Sequence, residues 1–273
     1  MTYGGTGSVV GVVVAANPGY NAPSPNDFEF PDIFNGNRLP LTKPDLLLIL
    51  AAIVVFVFFY LASRRRALVP SRGQFFGEQL YSFARNGIAQ DSIGAREYAR
   101  FVPLILTIFS FILVNNLFGI IPFLQFAPFA RVSFAYALAA MVWIVYNGVG
   151  IARHGFVGYL KHQTVPPGVP WIILPLLVPL EFLSNILIRP VTLSLRLFAN
   201  MFAGHLLLLL FATGGSYLLL HATGSFLVKP VGVLSYALGI FVGFLEIIVA
   251  ILQAYVFALL TAQYIGGALA EEH

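Results

Sequence analysis

The sequence predicts an all-α integral membrane protein with five membrane-crossing helices and one amphipathic surface helix. The last two helices are long and strongly tilted, and form a hairpin. Three observations carry this prediction. Of the 273 residues, 59% are hydrophobic and only 10% are charged, whereas a soluble domain carries about 25% charged residues. Mean hydropathy is +0.86. The apolar residues also gather into long runs of spanning length, separated by basic, Pro-rich or Gly-rich stretches.

Residues 1–44 read as an N-terminal polar arm. The opening "MTYGGTGSVVGVVVAANPGY" lacks a basic n-region and its apolar run is short, so a signal peptide is not expected. Residues 21–44 are rich in Pro and Asn and carry Asp27, Glu29 and Asp32. Residues 45–273 form a single membrane domain. Its first span, about 46–63, is an apolar run just long enough for roughly 30 Å of hydrocarbon. Arg64, Arg65 and Arg66 follow it and mark a cytoplasmic end. At about 74–88, Phe76, Leu80, Phe83 and Gly87 recur at helical spacing, with Glu78, Gln79, Ser82, Arg85 and Asn86 opposite. That pattern predicts a helix lying at the membrane surface.

Spans at about 101–123 and 133–152 are joined by the short "LQFAPFAR", so they form a hairpin. "VPPGVP" (165–170) then breaks the chain. Two mostly apolar stretches remain, about 171–211 and 231–268, the first interrupted by Pro175, Pro179 and Pro190. Each is roughly 60 Å long as a helix, twice the hydrocarbon thickness. Each could be two spans, but no polar turn of useful size divides either. The alternative is one long, strongly tilted helix each, joined by a Gly-rich turn around "ATGGSYLLLHATGS" (212–225), and a tilt beyond the usual range needs a packing reason outside the bilayer. With the N-terminus outside and the C-terminus cytoplasmic, the inner side holds Arg64, Arg65, Arg66, Arg72, Arg85, Arg96, Arg100, Arg153 and Lys161. The outer side holds only Arg38, Lys43, Arg131 and Lys229, in keeping with the positive-inside bias.

Composition also excludes chemistry. Without cysteine there is no disulfide, thiolate metal site or cysteine nucleophile. No cofactor, metal or catalytic site is read. The net charge of +4 comes largely from one basic cluster, so nucleic acid is not an expected partner.

The two long stretches hold Glu181, Arg189, Arg196 and Glu246, with His205 also titratable. A charge in hydrocarbon costs at least ~2.5 kcal/mol, so each should face a cavity, a partner charge or another subunit. At about 100° per residue, Thr192 and Asn200 flank Arg196 on one face. His205 and Ser194 lie on the opposite face. Glu246, Gln253 and Tyr264 share one stripe extending roughly 27 Å. Arginine cannot relay protons, but its fixed charge can hold a passing carboxylate ionised and repel protons. Histidine and glutamate can exchange them. These residues therefore read as a proton path, with His205 and Glu246 as relays and Arg196 as a barrier whose partner carboxylate belongs to another protein. The alternative is a self-contained channel or secondary transporter with Arg196 binding an anionic substrate. That reading calls for a midplane counter-charge or internal repeats, and the sequence shows neither.

Three blocks, "PLEFLSNILIRPVTLSLRLFANMFAGHLL" (179–207), "LEIIVAILQAYVFALLTAQYI" (245–265) and, more weakly, "NNLFGIIP" (115–122), resemble subunit a of the F-type ATP synthases of bacteria. The resemblance covers about residue 41 to the end. It implies a non-catalytic, proton-translocating stator subunit of a bacterial cell membrane, with two offset half-channels. It implies that the tilted hairpin wraps the c-ring. Its partners would be that ring, peripheral-stalk b subunits, membrane lipid and transported H⁺. Arg196 then corresponds to the arginine facing the ring carboxylate, and Asn200 to the asparagine one turn on. His205 and Glu246 correspond to a relay pair that occurs in either order, which suggests that their helices touch there. Gln253 corresponds to the glutamine near the arginine, and Tyr264 to a polar position near the inner end. Thr192, Ser194, Arg189, Tyr264, Glu181, Asn115 and Asn116 are the implied half-channel lining. Two departures stand out. Glu181 to Arg189 is one residue longer than in many members, and Gly119 stands where some relatives carry an acid.

Overall fold

The structure, a computed structural model, describes residues 22–24, 42–64, 71–94, 97–121, 124, 126–165, 172–220 and 228–270. It is all-helical over the described residues, with five helices long and apolar enough to cross a membrane. The polar arm lies almost wholly outside the described residues, as do Arg65, Arg66 and Arg96.

Helix α1 spans Lys43–Arg64. Thr42 caps it: its N–H donates to Asp45 Oδ2 at 2.7 Å, the reciprocal half of a capping box. Arg131 Nη1 donates to Thr42 Oγ1 at 3.0 Å and ties this end to the start of α4. Helix α2, Arg72–Ser82, runs on as a π-helical stretch Phe83–Gln90 and a final turn Asp91–Ile93. The apolar face expected at Phe76 and Phe83 is exposed, and the buried face is Gly77, Ala84, Ile88 and Ala89. Position 77 takes glycine because α1 comes close: a Cβ there would stand 3.0 Å from the Ala62 Cβ.

Helix α3, Tyr98–Phe118, is the centre of the fold. Its spanning window is 56% buried, against 17% for α1. It ends earlier than expected because Gly119 and Ile120 turn back on Asn116 and Leu117 through i→i+3 hydrogen bonds. After a 3₁₀ turn at Pro128–Ala130, α4 spans Val132–Thr164. It outruns the predicted 133–152 span and breaks at Gly155, whose φ of 72° suits glycine. Beyond the break, the Tyr159 ring lies directly against Gly150.

Helix α5, Leu174–Phe182, a π-helical stretch Leu183–Ile188 and helix α6, Arg189–Leu220, form one continuous run of 47 residues. Helix α7, Val228–Leu269, has 42 residues. Both are single helices, as expected, and each is about twice the hydrocarbon thickness. The Gly-rich turn expected from residue 212 onward begins later. Gly214 and Gly215 are helical, since Gly215 admits Tyr236 and Ser235 of α7 at a separation only glycine allows comfortably. The rest of that turn, 221–227, lies outside the described residues.

The two long helices pack antiparallel in one register. Gly232 meets Leu219, Gly239 meets Phe211, and Gly204 meets Glu246. Ser235 Oγ also donates to Phe211 O at 2.9 Å. Deeper in, Ala250, Ala254, Ala258 and Ala262 are fully buried and let α7 lie close to its neighbours. At its end, Gly266 packs directly on the Ser92 backbone in the last turn after α2. A methyl group there has no room, whereas one on Gly148 meets nothing within 4 Å. Gly266→Ala is therefore expected to destabilise the chain by about 1–3 kcal/mol. Gly148→Ala should be neutral or stabilising by roughly 0.5–1 kcal/mol. Both are read from chain recovered in membranes and its resistance to proteolysis.

Candidate proton-path residues along the helical hairpin

Arg196 sits on the exposed face of α6 with Thr192 and Asn200, while Ser194, Leu193 and Leu197 are buried. The two faces expected from the sequence are present. Among the described residues, no carboxylate lies within ion-pair distance of Arg196 or Arg189. Thr192 Oγ1 is held by its own helix, donating to Ile188 O and Arg189 O at 2.9 and 3.0 Å. Ser194 is likewise occupied, its Oγ donating to Val191 O at 2.8 Å.

Polar side chains gather on either side of Arg196 along the hairpin. Toward the Arg131 end, Asn200 Nδ2 donates to Gln253 Oε1 at 2.7 Å. Asn200 is exposed, yet its amide reaches back to α7 instead of serving the arginine face alone, as the sequence suggested. Next come His205 and Glu246, 7% and 5% exposed, on facing helices. The Glu246 carboxyl rests against Gly204, where a Cβ would stand 3.0 Å from Oε1. The His205 ring meets Phe126 edge-on at 5.9 Å. From α3, Asn116 Nδ2 donates to Ala250 O at 3.4 Å, one turn of α7 beyond Glu246. Asn115 donates to Phe111 O at 2.7 Å. Asn115 Oδ1, Asn116 Oδ1, Ser110 Oγ and Glu246 Oε2 are buried with no protein hydrogen-bond partner. Groups of this kind are able to bind water or exchange a proton.

Toward the Arg64 end, the Arg189 guanidinium lies 5.3 Å over the Tyr264 ring. That ring in turn meets Tyr146 of α4 at 5.6 Å. Glu181 Oε2 accepts from Asn185 Nδ2 at 3.0 Å, and the same amide donates to Gln163 O at 2.7 Å. Gln163 donates to the Tyr159 hydroxyl, which donates to Asn147 Oδ1 at 3.0 Å. The sequence reading passed over Tyr146, Asn147, Tyr159, Gln163 and Asn185. The available signal was the spacing of Trp143, Tyr146, Asn147 and Gly150 along one side of an apolar helix.

The segment from Glu181 to Arg189, where the sequence suggested an extra residue, is not a plain α-helix. The segment folds as the π-helical stretch Leu183–Ile188, in which the Arg189 N–H bonds to Ser184 O, five residues back. A π turn takes up one more residue than an α turn, so helix continues on both sides.

The Asn200–Gln253 bond joins exposed and buried faces across the hairpin. A double-mutant cycle of Asn200→Ala and Gln253→Ala should show a coupling of about 0.6 kcal/mol, and not above about 1.7, in SDS unfolding.

Comparison with known proteins agrees with this architecture. The family model described as ATP synthase A chain matches residues 46–266. A protein of Nocardioides sp. named ATP synthase subunit a is 54% identical, over 96% of this chain and 98% of its own length. Those of Pseudarthrobacter chlorophenolicus (46%; 93% and 95%) and Streptomyces lividans (40%; 93% and 90%) carry the same name. A family model covering most of the membrane domain, and relatives matched nearly end to end, establish that this multi-pass bacterial membrane chain belongs to the ATP synthase subunit a family.

Proposed function

We propose that the chain supplies two offset proton half-channels to a neighbouring ring of carboxylate-bearing subunits, with Arg196 as the charge that separates them. The observation that carries this reading is the position of Arg196. It is exposed on the hairpin, without a carboxylate of its own among the described residues, between the His205–Glu246 cluster and the Arg189–Tyr264–Glu181 cluster. A self-contained transporter would hold its counter-charge internally; a stator subunit leaves it to a moving partner.

In this reading the Arg64 end is cytoplasmic, in line with the basic bias. A proton enters from the opposite side past Asn115 and Asn116, passes His205 and Glu246, and neutralises a ring carboxylate near Asn200 and Gln253. The ring turns. When the carboxylate approaches Arg196 from the other side, the fixed positive charge favours its ionised form, and the proton leaves past Arg189, Tyr264 and Glu181. Because arginine stays protonated at all working pH values, it stops a proton crossing directly between the half-channels. Chemistry on nucleotide happens in other subunits. Peripheral-stalk b subunits hold this chain against rotation, and surrounding lipid covers its apolar faces.

Two outcomes test this in liposomes carrying the whole complex. Arg196→Ala should abolish ATP-driven proton pumping while the complex still assembles; full coupled pumping in that variant would refute the barrier role. Exchanging the relay pair (His205→Glu with Glu246→His) should retain more pumping than either single alanine variant. Equal losses would argue against a relay across the hairpin.

A further inference from the structure

The junction between α5 and α6 leaves two backbone carbonyls without their usual donors. Arg189 gives its N–H to Ser184 O. Pro190 has no N–H, so it offers nothing to Ile186 O, its partner at α spacing, or to Asn185 O, its partner at π spacing. Leu187 and Ile188 are exposed beside this point, on a surface suited to lipid, where unsatisfied backbone is not tolerated. Both carbonyls are taken up by α4. Trp143 Nε1 donates to Ile186 O at 2.8 Å, and the Tyr146 hydroxyl donates to Asn185 O at 3.3 Å. Three residues apart, the two side chains sit on one face of α4, opposite the π-helical stretch.

The junction also sets direction. Each residue of an α-helix turns the chain by about 100°, so losing the extra residue of a π turn rotates everything after it by about that angle relative to α5. Arg196 is less than two turns beyond Pro190. Its exposed position, with Ser194 fully buried two residues earlier, depends on that phase. Tyr146 also packs its ring on Tyr264, which lies beneath Arg189, so one side chain touches both the freed carbonyl and the arginine stack.

We infer that Trp143 and Tyr146 are positioning residues: by capping the Ile186 and Asn185 carbonyls they hold the π turn and so fix the direction in which α6 presents Arg189 and Arg196. The functional half of this statement rests on the barrier role proposed for Arg196; the geometric half does not.

The test uses the whole complex, and two readouts keep the halves apart. The first is a cysteine scan over residues 191–199 in this otherwise cysteine-free chain, labelled with a membrane-permeant maleimide. In Trp143→Phe/Tyr146→Phe, which keeps an aromatic ring at both positions and removes both donors, the labelling maximum should move by one position. The second readout is protons pumped per ATP hydrolysed. Trp143→Phe alone should lower this by about tenfold, the scale of one buried hydrogen bond lost. Pro190→Ala restores an N–H that can reach Ile186 O from within the helix, so Trp143→Phe should cost clearly less in that background. An unmoved labelling pattern in the double variant overturns the inference, as does a Trp143→Phe loss unchanged by Pro190→Ala. A moved pattern with intact pumping supports the positioning and counts against the barrier role of Arg196.

Discussion

A guanidinium that cannot give up its proton puts a permanent positive charge along a 47-residue, largely apolar run, and much of the surrounding structure answers to that charge. Taken into hydrocarbon unpaired, it would be costly. Here the helix turns it to the outside of the hairpin, and polar groups gather above and below it: amides, His205 and Glu246 on one side, Arg189 with tyrosines and Glu181 on the other. The arrangement differs from a buried ion pair, whose attraction is satisfied within one chain. This chain leaves the attraction open.

Holding such an arrangement needs two long helices at a fixed distance and register. Glycines do this at Gly204, Gly215, Gly232 and Gly239, and alanines continue it through Ala250 and Ala254. The hydrophobic effect gives little drive for helix association inside lipid, so close backbone approach and hydrogen bonds such as Asn200–Gln253 carry the specificity. The same seam that admits the Glu246 carboxyl against Gly204 places His205 in the next position on the facing helix.

Much of this was legible in the sequence because it depended on features one helix displays alone. Apolar runs gave the five spans, and residue angles separated the face of Arg196 from that of His205. The positions that escaped depend on more than one helix. Gly77, Ala84 and Ile88 look unremarkable until α1 and α3 are laid against them, while the more conspicuous Phe76 and Phe83 touch neighbouring rings yet stay largely exposed. Tyr146, Asn147 and Asn185 are isolated polar residues along apolar sequence, and their meaning comes from partners on another helix. The extension of α4 was missed because Gly155 ends one helical direction and starts another, and sequence punctuation marks only the first event. The Glu181-to-Arg189 spacing drew notice in the sequence, but nothing in it disclosed the π turn that lies there.

The contact between Gly266 and the Ser92 backbone has a mechanical reading. Two smooth antiparallel helices could slide past one another by a turn, about 5.4 Å, at modest cost in packing. Seated on the turn after α2, the end of α7 has no such travel. That turn closes a helical stretch that is not among the helices apolar enough to cross a membrane. The end of α2 thus works as an axial stop for α7, fixing how far Gln253 and Glu246 can travel along the hairpin.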